Sequence, residues 1–426
     1  MDIHVVQPGD TLYELAYQYG VSMSRLIQDN QLPDPSQLVV GQTLVIQYPR
    51  STCTVRSGDT LFSIARNAGI PLRQLLRNNP GLEGGDRIYP GQELVLSYQQ
   101  EQQGTLSVTG YAYPNIAPAL LQRTLPFLSS LAPFTYRPTV RGDLIPLADD
   151  AIVAAAQVMG VRPLLHLANL TETDSFSGEL AHALLSSPEA RTRLADNLME
   201  ILRRKGYRGI DVDLESVFPE DAQNYVRFLF LLRERLEPLG YPLLAALAPK
   251  TSASQQGELY QGHDYRGLGE AANGVLLMTY EWGYAFGPPM AVAPLDQVRR
   301  VAEYALTEIP AEKLWLGIPN YGYDWLLSAP QGLQARSLSN PEAVALAARH
   351  YAAIRFDPRA QAPWFRYVDG QGREHEVWFE DARSIRAKLA LAAELELYGV
   401  GYWNLMRPFP QNWAVLNSLY EIRAGD

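Results

Sequence analysis

Apolar and polar positions alternate most sharply at Gly209-Ile-Asp-Val-Asp-Leu-Glu215, where Ile210, Val212 and Leu214 interleave with Asp211, Asp213 and Glu215. Residues two apart on a strand share a face, so the three acids point one way, roughly 6.6–7 Å apart, and the aliphatics point the other. A solvated edge strand with its polar residues outward is the plain alternative. It fits poorly, because Gly206 and Gly209 flank a run that emerges from a long amphipathic helix, as a barrel strand would. Similar short apolar runs occur at 106–111, 134–137, 163–168, 242–248, 274–280, 314–319 and 399–403. Helical periodicity separates most of them, most clearly at 149–159, 190–205, 220–236, 295–306 and 383–397. Eight strands alternating with helices predict an α/β fold of the (β/α)8 TIM-barrel type, with chemistry at the C-terminal ends of the strands.

The first hundred residues follow a different rule. Pro8-Gly-Asp-Thr-Leu12 returns as Ser57-Gly-Asp-Thr-Leu61, 49 residues on, and Asn30 maps onto Asn79 at the same offset. Val40-Gly-Gln-Thr-Leu-Val45 returns as Pro90-Gly-Gln-Glu-Leu-Val95, one residue further along because of an insertion near Gly84-Gly85. Each copy reads as strand, helix, helix, strand, with Thr11-Leu-Tyr-Glu14 offering a capping box. Residues 2–47 and 51–97 are thus two βααβ modules, and the polar stretch 98–104 reads as a linker to a barrel unit at 105–426.

This repeat resembles the LysM domain, a module that binds glycans containing N-acetylglucosamine. The resemblance implies a shallow groove formed by Gly9, Asp10, Thr11 and Leu12 opposite Leu38, Val39 and Val40 in the first copy. In the second copy Gly58, Asp59, Thr60 and Leu61 lie opposite Ile88 and Tyr89. Gly-Asp-Thr is also a plain helix cap, and half of its work is of that kind. Tandem copies raise effective concentration on a polymer, so a polymeric partner is expected.

Composition narrows the partners further. The chain has 426 residues, a net charge of −10 and a single cysteine, Cys53. The acidity argues against nucleic acid and against an anionic membrane surface. One cysteine permits neither an internal disulfide nor a cysteine-based metal site. The six histidines show no metal-ligand spacing, no phosphate loop or serine-hydrolase elbow is present, and so no metal or cofactor is implied. The N-terminus lacks the basic and apolar regions of a secretory signal, and no run approaches the ~20 apolar residues of a membrane span. Synthesis in the cytosol and no membrane insertion are therefore expected.

Polar and aromatic residues gather where the barrel strands end: Tyr111 and Tyr113, Asn169, Glu215, Lys250, Tyr280 with Glu281 and Trp282, Asn320 with Tyr321 and Tyr323, and Trp403. Aromatic faces stack on the apolar faces of pyranoses while amides and carboxylates take the hydroxyls. A sugar-binding cleft around acids is expected, with Trp403, Tyr111, Asn169, Glu281, Trp282, Asn320 and Tyr321 as candidate substrate contacts.

Gly209-Ile-Asp-Val-Asp-Leu-Glu215 resembles the active-site strand of glycoside hydrolase family 18, Asp-Gly-x-Asp-x-Asp-x-Glu. Met278-Thr-Tyr-Glu281 is similar to that family's Met-x-Tyr-Asp element, and Gly401-Tyr-Trp403 to its eighth-strand tryptophan. With the LysM pair and the stretch from Met278 to Pro294, the chain resembles the spore-germination group of cortical-fragment N-acetylglucosaminidases over essentially its whole length. The resemblance implies retaining, substrate-assisted hydrolysis through an oxazolinium intermediate. Glu215 is then the general acid and base, Asp213 holds the acetamido nitrogen, Tyr280 orients the acetamido oxygen, and Asp211 tunes Asp213. Trp403 floors the sugar subsite.

Three positions depart from the chitinase pattern. Arg208 stands in place of the first Asp, shortening the acid relay and offering an internal cation; Leu214 replaces an aromatic position, and Glu281 replaces Asp. These departures suggest a shifted substrate rather than a changed reaction. Peptidoglycan or spore cortex is the implied partner, with a coat or cortex location, while chitin oligomers and a non-catalytic, lectin-like barrel remain open alternatives. Between strands seven and eight, about 325–380, a small α+β insertion is expected, with a hairpin turning at Asp369-Gly370.

Overall fold

The computed structural model describes residues 1–32, 34–82, 87–328 and 333–425, so the insertion expected near Gly84-Gly85 lies outside the described residues. Eight parallel strands form the barrel: Gly104–Ala112, Ser130–Pro133, the interrupted third strand Arg162–Pro163 with Leu165–Ala168, Ile210–Asp213, Leu243–Leu247, Gly274–Leu277, Leu314–Pro319 and Gly399–Trp403. The eighth pairs with the first, matching Gly399 to Ser107. The second and third pair at Ser130 with Arg162 and Leu131 with Pro163, and beyond them the Tyr136 N–H donates to the His166 carbonyl at 2.9 Å.

The second strand lies earlier than the expected 134–137. At its start the Val108 N–H donates to Ser129 Oγ at 3.0 Å and the Thr109 and Ser130 hydroxyls pair at 2.8 Å. Small hydroxyl side chains there bolt neighbouring strands together, which a hydropathy pattern cannot reveal.

Outward-facing aliphatics, among them Ile210, Val212 and Leu214, meet the surrounding helices in one continuous core. A smaller set, including Tyr111, Leu164, Leu244, Leu276 and Trp315, fills the barrel interior. The insertion after the seventh strand is a five-stranded antiparallel sheet with the helix Asn340–Arg349 packed on it. Its hairpin joins Ala362–Val368 to Glu374–Trp378 through a longer turn than expected. Asp369 N–H bonds the Arg373 carbonyl at 3.0 Å, and the left-handed position is Gly372, at φ +77°, rather than Gly370.

The two repeats fold as βααβ units. Asp2–Val5 pairs with Thr43–Ile46, and Pro49–Thr54 with Glu93–Tyr98, each pair carrying two helices. Asn30 and Asn79 do the same work in the two copies. Their side-chain oxygens accept from the N–H of Val45 at 2.7 Å and of Val95 at 2.8 Å, and their amides donate back to the same strands. Thr11 and Thr60 cap the first helices, accepting from Glu14 N–H and Ser63 N–H. The repeats dock on the last barrel helix, Pro410–Leu419: the Thr43 hydroxyl donates to Gln411 at 2.8 Å, and the Asn417 amide donates to Asn78 at 3.0 Å. The expected linker is pinned there too, since Gln102 donates to the Asn417 and Tyr420 carbonyls. Among the described residues, no helix is long and apolar enough to cross a membrane.

Candidate active site

Strand alternation sends Asp211 and Asp213 into the barrel while Ile210 and Val212 face the helices. Asp211 is fully enclosed, at 0% exposure, and Asp213 nearly so; Glu215, two residues past the strand end, is half-buried at the mouth. This reproduces the shared acid face read from the sequence. Arg208, by contrast, is exposed, so the internal cation expected from it is absent: its side chain leaves the strand on the solvent side.

Confinement raises the proton affinity of all three acids. Burial pushes the Asp211 carboxyl up to about 6, partly offset by the Tyr111 hydroxyl. Burial, then the neighbouring Glu215 and Asp211 charges, holds Asp213 well above the usual carboxylate range. Glu215 is lifted to about 7, first by burial and second by the Glu281 charge. The Asp211 oxygens and the Tyr111 hydroxyl face each other without a well-formed hydrogen bond. Like charges in a dry site thus favour shared protons over full ionisation.

The backbone carrying these acids is held from both sides. Asn169 Oδ1 accepts from the Glu215 N–H at 2.9 Å, and its Nδ2 donates to the Glu215 carbonyl at 2.8 Å and to the Ser177 carbonyl at 2.8 Å. His263, fully buried, bonds the Leu214 carbonyl through Nε2 at 2.9 Å and the Ala248 N–H through Nδ1 at 3.0 Å. Because Nδ1 must accept, the proton lies on Nε2, and burial lowers the imidazole to about 4, keeping it neutral. Below, His166 bonds the Thr135 hydroxyl at 2.7 Å and approaches Asp213 at 3.9 Å, and burial lowers it to about 3.

Beyond the acids lies an aromatic rim. At Tyr280, just past the sixth strand, burial and then the charges of Asp213, Glu215, Glu281 and Asp211 hold the hydroxyl protonated. Glu281, in a left-handed conformation at φ +65°, accepts from the Tyr321 and Tyr323 hydroxyls. Trp403 packs edge-on against Phe134 at 4.7 Å between centroids and lies 6.0 Å from Tyr111. Trp378 of the insertion joins Tyr280 and Trp403 on one aromatic cluster, so the insertion walls one side of the cleft.

Several expected substrate contacts are committed elsewhere. Asn169, at 0% exposure, braces Glu215 and has no surface to offer a ligand. Tyr111 is buried beneath the mouth because the strand turns it inward to Asp211. Asn320 Nδ2 donates to the Asn404 and Arg407 carbonyls, fixing the loop after the eighth strand. Tyr321 holds Glu281, and Trp282 packs on the main core while remaining partly exposed. Trp403 and Glu281 stay at the rim. His263, Thr135 and Tyr323 went unassigned in the sequence; Tyr323 stood at a strand end, but nothing local marked the two bracing residues.

In the repeats, Leu12 and Leu61 are core residues, since helical spacing turns them inward with Leu15 and Ile64. The Asp10 and Asp59 carboxylates accept from the N–H groups of Gln7 and Arg56, each at 2.7 Å, and hold the turns that place Gly9 and Gly58 at positive φ. Thr11 and Thr60 remain exposed beside them, and Ile88 is half-buried against the second module's core. Val39 is buried against the insertion.

Residues 170–407 match the model for glycosyl hydrolases family 18, and residues 4–47 and 53–97 match the LysM domain. The chain is 41% identical to the cortical fragment-lytic enzyme of Bacillus subtilis (strain 168), over 99% of both chains. It is 38% identical to the cortical fragment-lytic enzyme of Bacillus anthracis, over 98% of this chain and 97% of that one. The crystal structure of the spore cortex-lytic enzyme SleL of Bacillus megaterium QM B1551 superposes with a TM-score of 0.84 at 36% identity, covering 99% of this chain and 98% of that one. A chitinase from Chromobacterium violaceum superposes at 0.68 with 26% identity, covering 74% of this chain and 98% of that one. The chain is a member of glycosyl hydrolase family 18 with two LysM domains.

Proposed function

We infer that this protein is a retaining N-acetylglucosaminidase that cleaves peptidoglycan, most specifically cortex fragments of germinating spores, by substrate-assisted catalysis. The observation that carries the reading is the state of Glu215. Its carboxyl is lifted to about 7 at the mouth of the barrel, while Asn169 clamps its backbone. A general acid works best with a proton affinity near the working pH and a fixed position. Asp213 and Tyr280 stand beside it, electrostatically linked to it.

In this reading, Glu215 gives its proton to the glycosidic oxygen as the C1–O bond breaks. The 2-acetamido oxygen of the same sugar bonds to C1 from the opposite face, forming a cyclic oxazolinium. Asp213 accepts a hydrogen bond from the acetamido N–H and balances the positive charge, and the Tyr280 hydroxyl donates to the acetamido oxygen. Glu215, now ionised, takes a proton from water, whose oxygen bonds to C1 as the C1–O bond to the acetamido oxygen breaks, restoring the acetamide and releasing the sugar with its configuration retained. Asp211 keeps a proton available to Asp213 through like-charge repulsion.

Two observations support the cortex as substrate: the LysM pair and the full-length similarity to cortical fragment-lytic enzymes. The same relatives support a spore location. We take residues 2–47 and 51–97 as the two LysM modules, 98–104 as their linker and 105–426 as the catalytic unit. The test is product analysis by mass spectrometry on defined cortical fragments beside chitin oligomers, using wild type and Glu215→Gln. Release of N-acetylglucosamine from cortical fragments, reduced at least ~100-fold in the variant, is expected. Preferential cleavage of chitin oligomers would move the assignment to a chitinase, and equal activity of the variant would remove Glu215 from its role.

A further inference from the structure

The two repeats are locally alike and globally opposite. In the first, the loop before the closing strand is built by Val39 N–H donating to Gln42 Oε1 at 3.0 Å and Gln42 N–H returning to the Val39 carbonyl at 2.9 Å. In the second, Tyr89 and Gln92 repeat both bonds, at 3.1 and 3.0 Å. Val39 and Tyr89 are therefore equivalent positions on equivalent loops. Yet Val39 is 7% exposed, in one core with Leu338, Ala343 and Ile354 of the insertion, whereas Tyr89 is 65% exposed.

The neighbouring backbone says the same. Ile354 N–H donates to the Val40 carbonyl at 2.9 Å, and Arg383 donates to the Gly41 carbonyl at 3.2 Å. A Cβ on Gly41 would lie 1.8 Å from the Ile354 carbonyl oxygen, whereas one on the equivalent Gly91 would meet nothing within 4 Å. One wall of the first groove is thus already filled by the chain itself. The second groove opens on a cleft of ≈ 1020 Å³ whose other side is the outer face of the barrel, with Arg123 and Val158. Phe62, on the facing helix, is 65% exposed, so this groove presents two solvent-facing aromatic rings suited to sugar faces. The residue chemistry fits the division: an aliphatic Val where a core must close, a Tyr where the surface stays open.

We propose that glycan retention rests on the second LysM module alone, held between Phe62, Tyr89 and the barrel face, and that the first module is a bracket docked on the insertion. The inference rests on the reading of the modules as holding an N-acetylglucosamine polymer. Its consequence is mechanical. The second module is itself fixed to the barrel, by Asn417 donating to Asn78 and Arg77 donating to the Pro126 carbonyl, so its bound strand is presented at a set place relative to the catalytic cleft.

The test uses the full chain silenced by Glu215→Gln, with insoluble peptidoglycan as the probe. Adding Phe62→Ser and Tyr89→Ser should weaken retention at least tenfold, while Tyr13→Ser, at the equivalent of Phe62 and 75% exposed, should leave it unchanged. Amide hydrogen exchange with an N-acetylglucosamine tetramer should show protection at 59–62 and 89–92 and none at 10–13 and 39–42. Equal weakening by Tyr13→Ser, protection in the first module, or no effect of the Phe62 and Tyr89 changes would overturn the division of labour. Failure of the silenced parent to bind either probe would instead remove the glycan reading on which it rests.

Discussion

Asn169 and Glu215 form a closed amide pair: the Asn169 side chain accepts from the Glu215 N–H and donates to its carbonyl, at 2.9 and 2.8 Å. The bonded groups are all backbone on the Glu215 side, so the carboxyl stays unrestrained by the clamp that positions it. Asn169→Ala removes the clamp and leaves buried polar groups unpaired, at a stability cost of about 1–3 kcal/mol. Misplacing a catalytic group by even ~1 Å can lower the rate by about 100-fold. We expect kcat to fall ~10- to 100-fold with KM nearly unchanged, read from steady-state kinetics below the variant's own unfolding temperature. Unchanged kcat beside a lowered Tm would mean that Asn169 only stabilises the fold.

Glu281 acts on Glu215 through space. Its charge is the second cause, after burial, of the raised Glu215 proton affinity. In the proposed mechanism Glu215 serves as an acid only while protonated, so kcat/KM should decline above about 7. Glu281→Gln keeps the size and the tyrosine contacts but deletes the charge, which lowers the affinity of Glu215 for its proton. The alkaline limb should therefore move to lower pH. A pH profile of kcat/KM with the limb unmoved, or moved upward, would separate Glu281 from this tuning.

Gly317 in the seventh strand makes room for Tyr280. A Cβ there would lie 2.4 Å from the Leu277 carbonyl oxygen and 2.9 Å from Tyr280 Cε1, so Gly317→Ala must displace the ring or the strand end. Overpacking of this kind costs about 1–3 kcal/mol, and the displaced hydroxyl should lower kcat at least ~10-fold. Gly401→Ala is the control, since its Cβ would press on the Leu276 side chain at 2.4 Å. If both variants lose stability and activity in the same proportion, Gly317 has no special tie to Tyr280.

The strand of acids was legible because period-two alternation is a local property and a barrel strand preserves it. The LysM copies were legible for a similar reason: the Gly-Asp-Thr turns and the Asn30 and Asn79 bolts are short-range devices repeated at fixed spacing. Long-range partners were not. Asn169 read as a ligand contact because a strand-end amide suits sugar hydroxyls, and its partner lies 46 positions away in the chain. His263 carried no signal at all, since its bonds to Leu214 and Ala248 exist only after the barrel closes. Arg208 misled for the opposite reason. Its position in the motif was inward, but the strand begins at Ile210 and the side chain before it turns out to solvent.

Asp211 bears on stability as well as on chemistry. It is buried with its proton affinity raised to about 6, so the folded chain holds a proton over a range where the unfolded chain has released it. The sign follows: stability is full below the unfolded value of about 4 and is lost as pH rises from there through about 6. Asp211→Asn cannot ionise, so it should gain about 3 kcal/mol over wild type at pH 7 and lose most of that advantage near pH 4. Chemical denaturation at the two pH values measures the difference. The same variant should be a weaker enzyme, because the charge that helps hold a proton on Asp213 is gone. An equal gain at both pH values would point to packing rather than ionisation. A gain confined to neutral pH, together with lost turnover, would show that this strand gives up stability to keep three acids in one dry site.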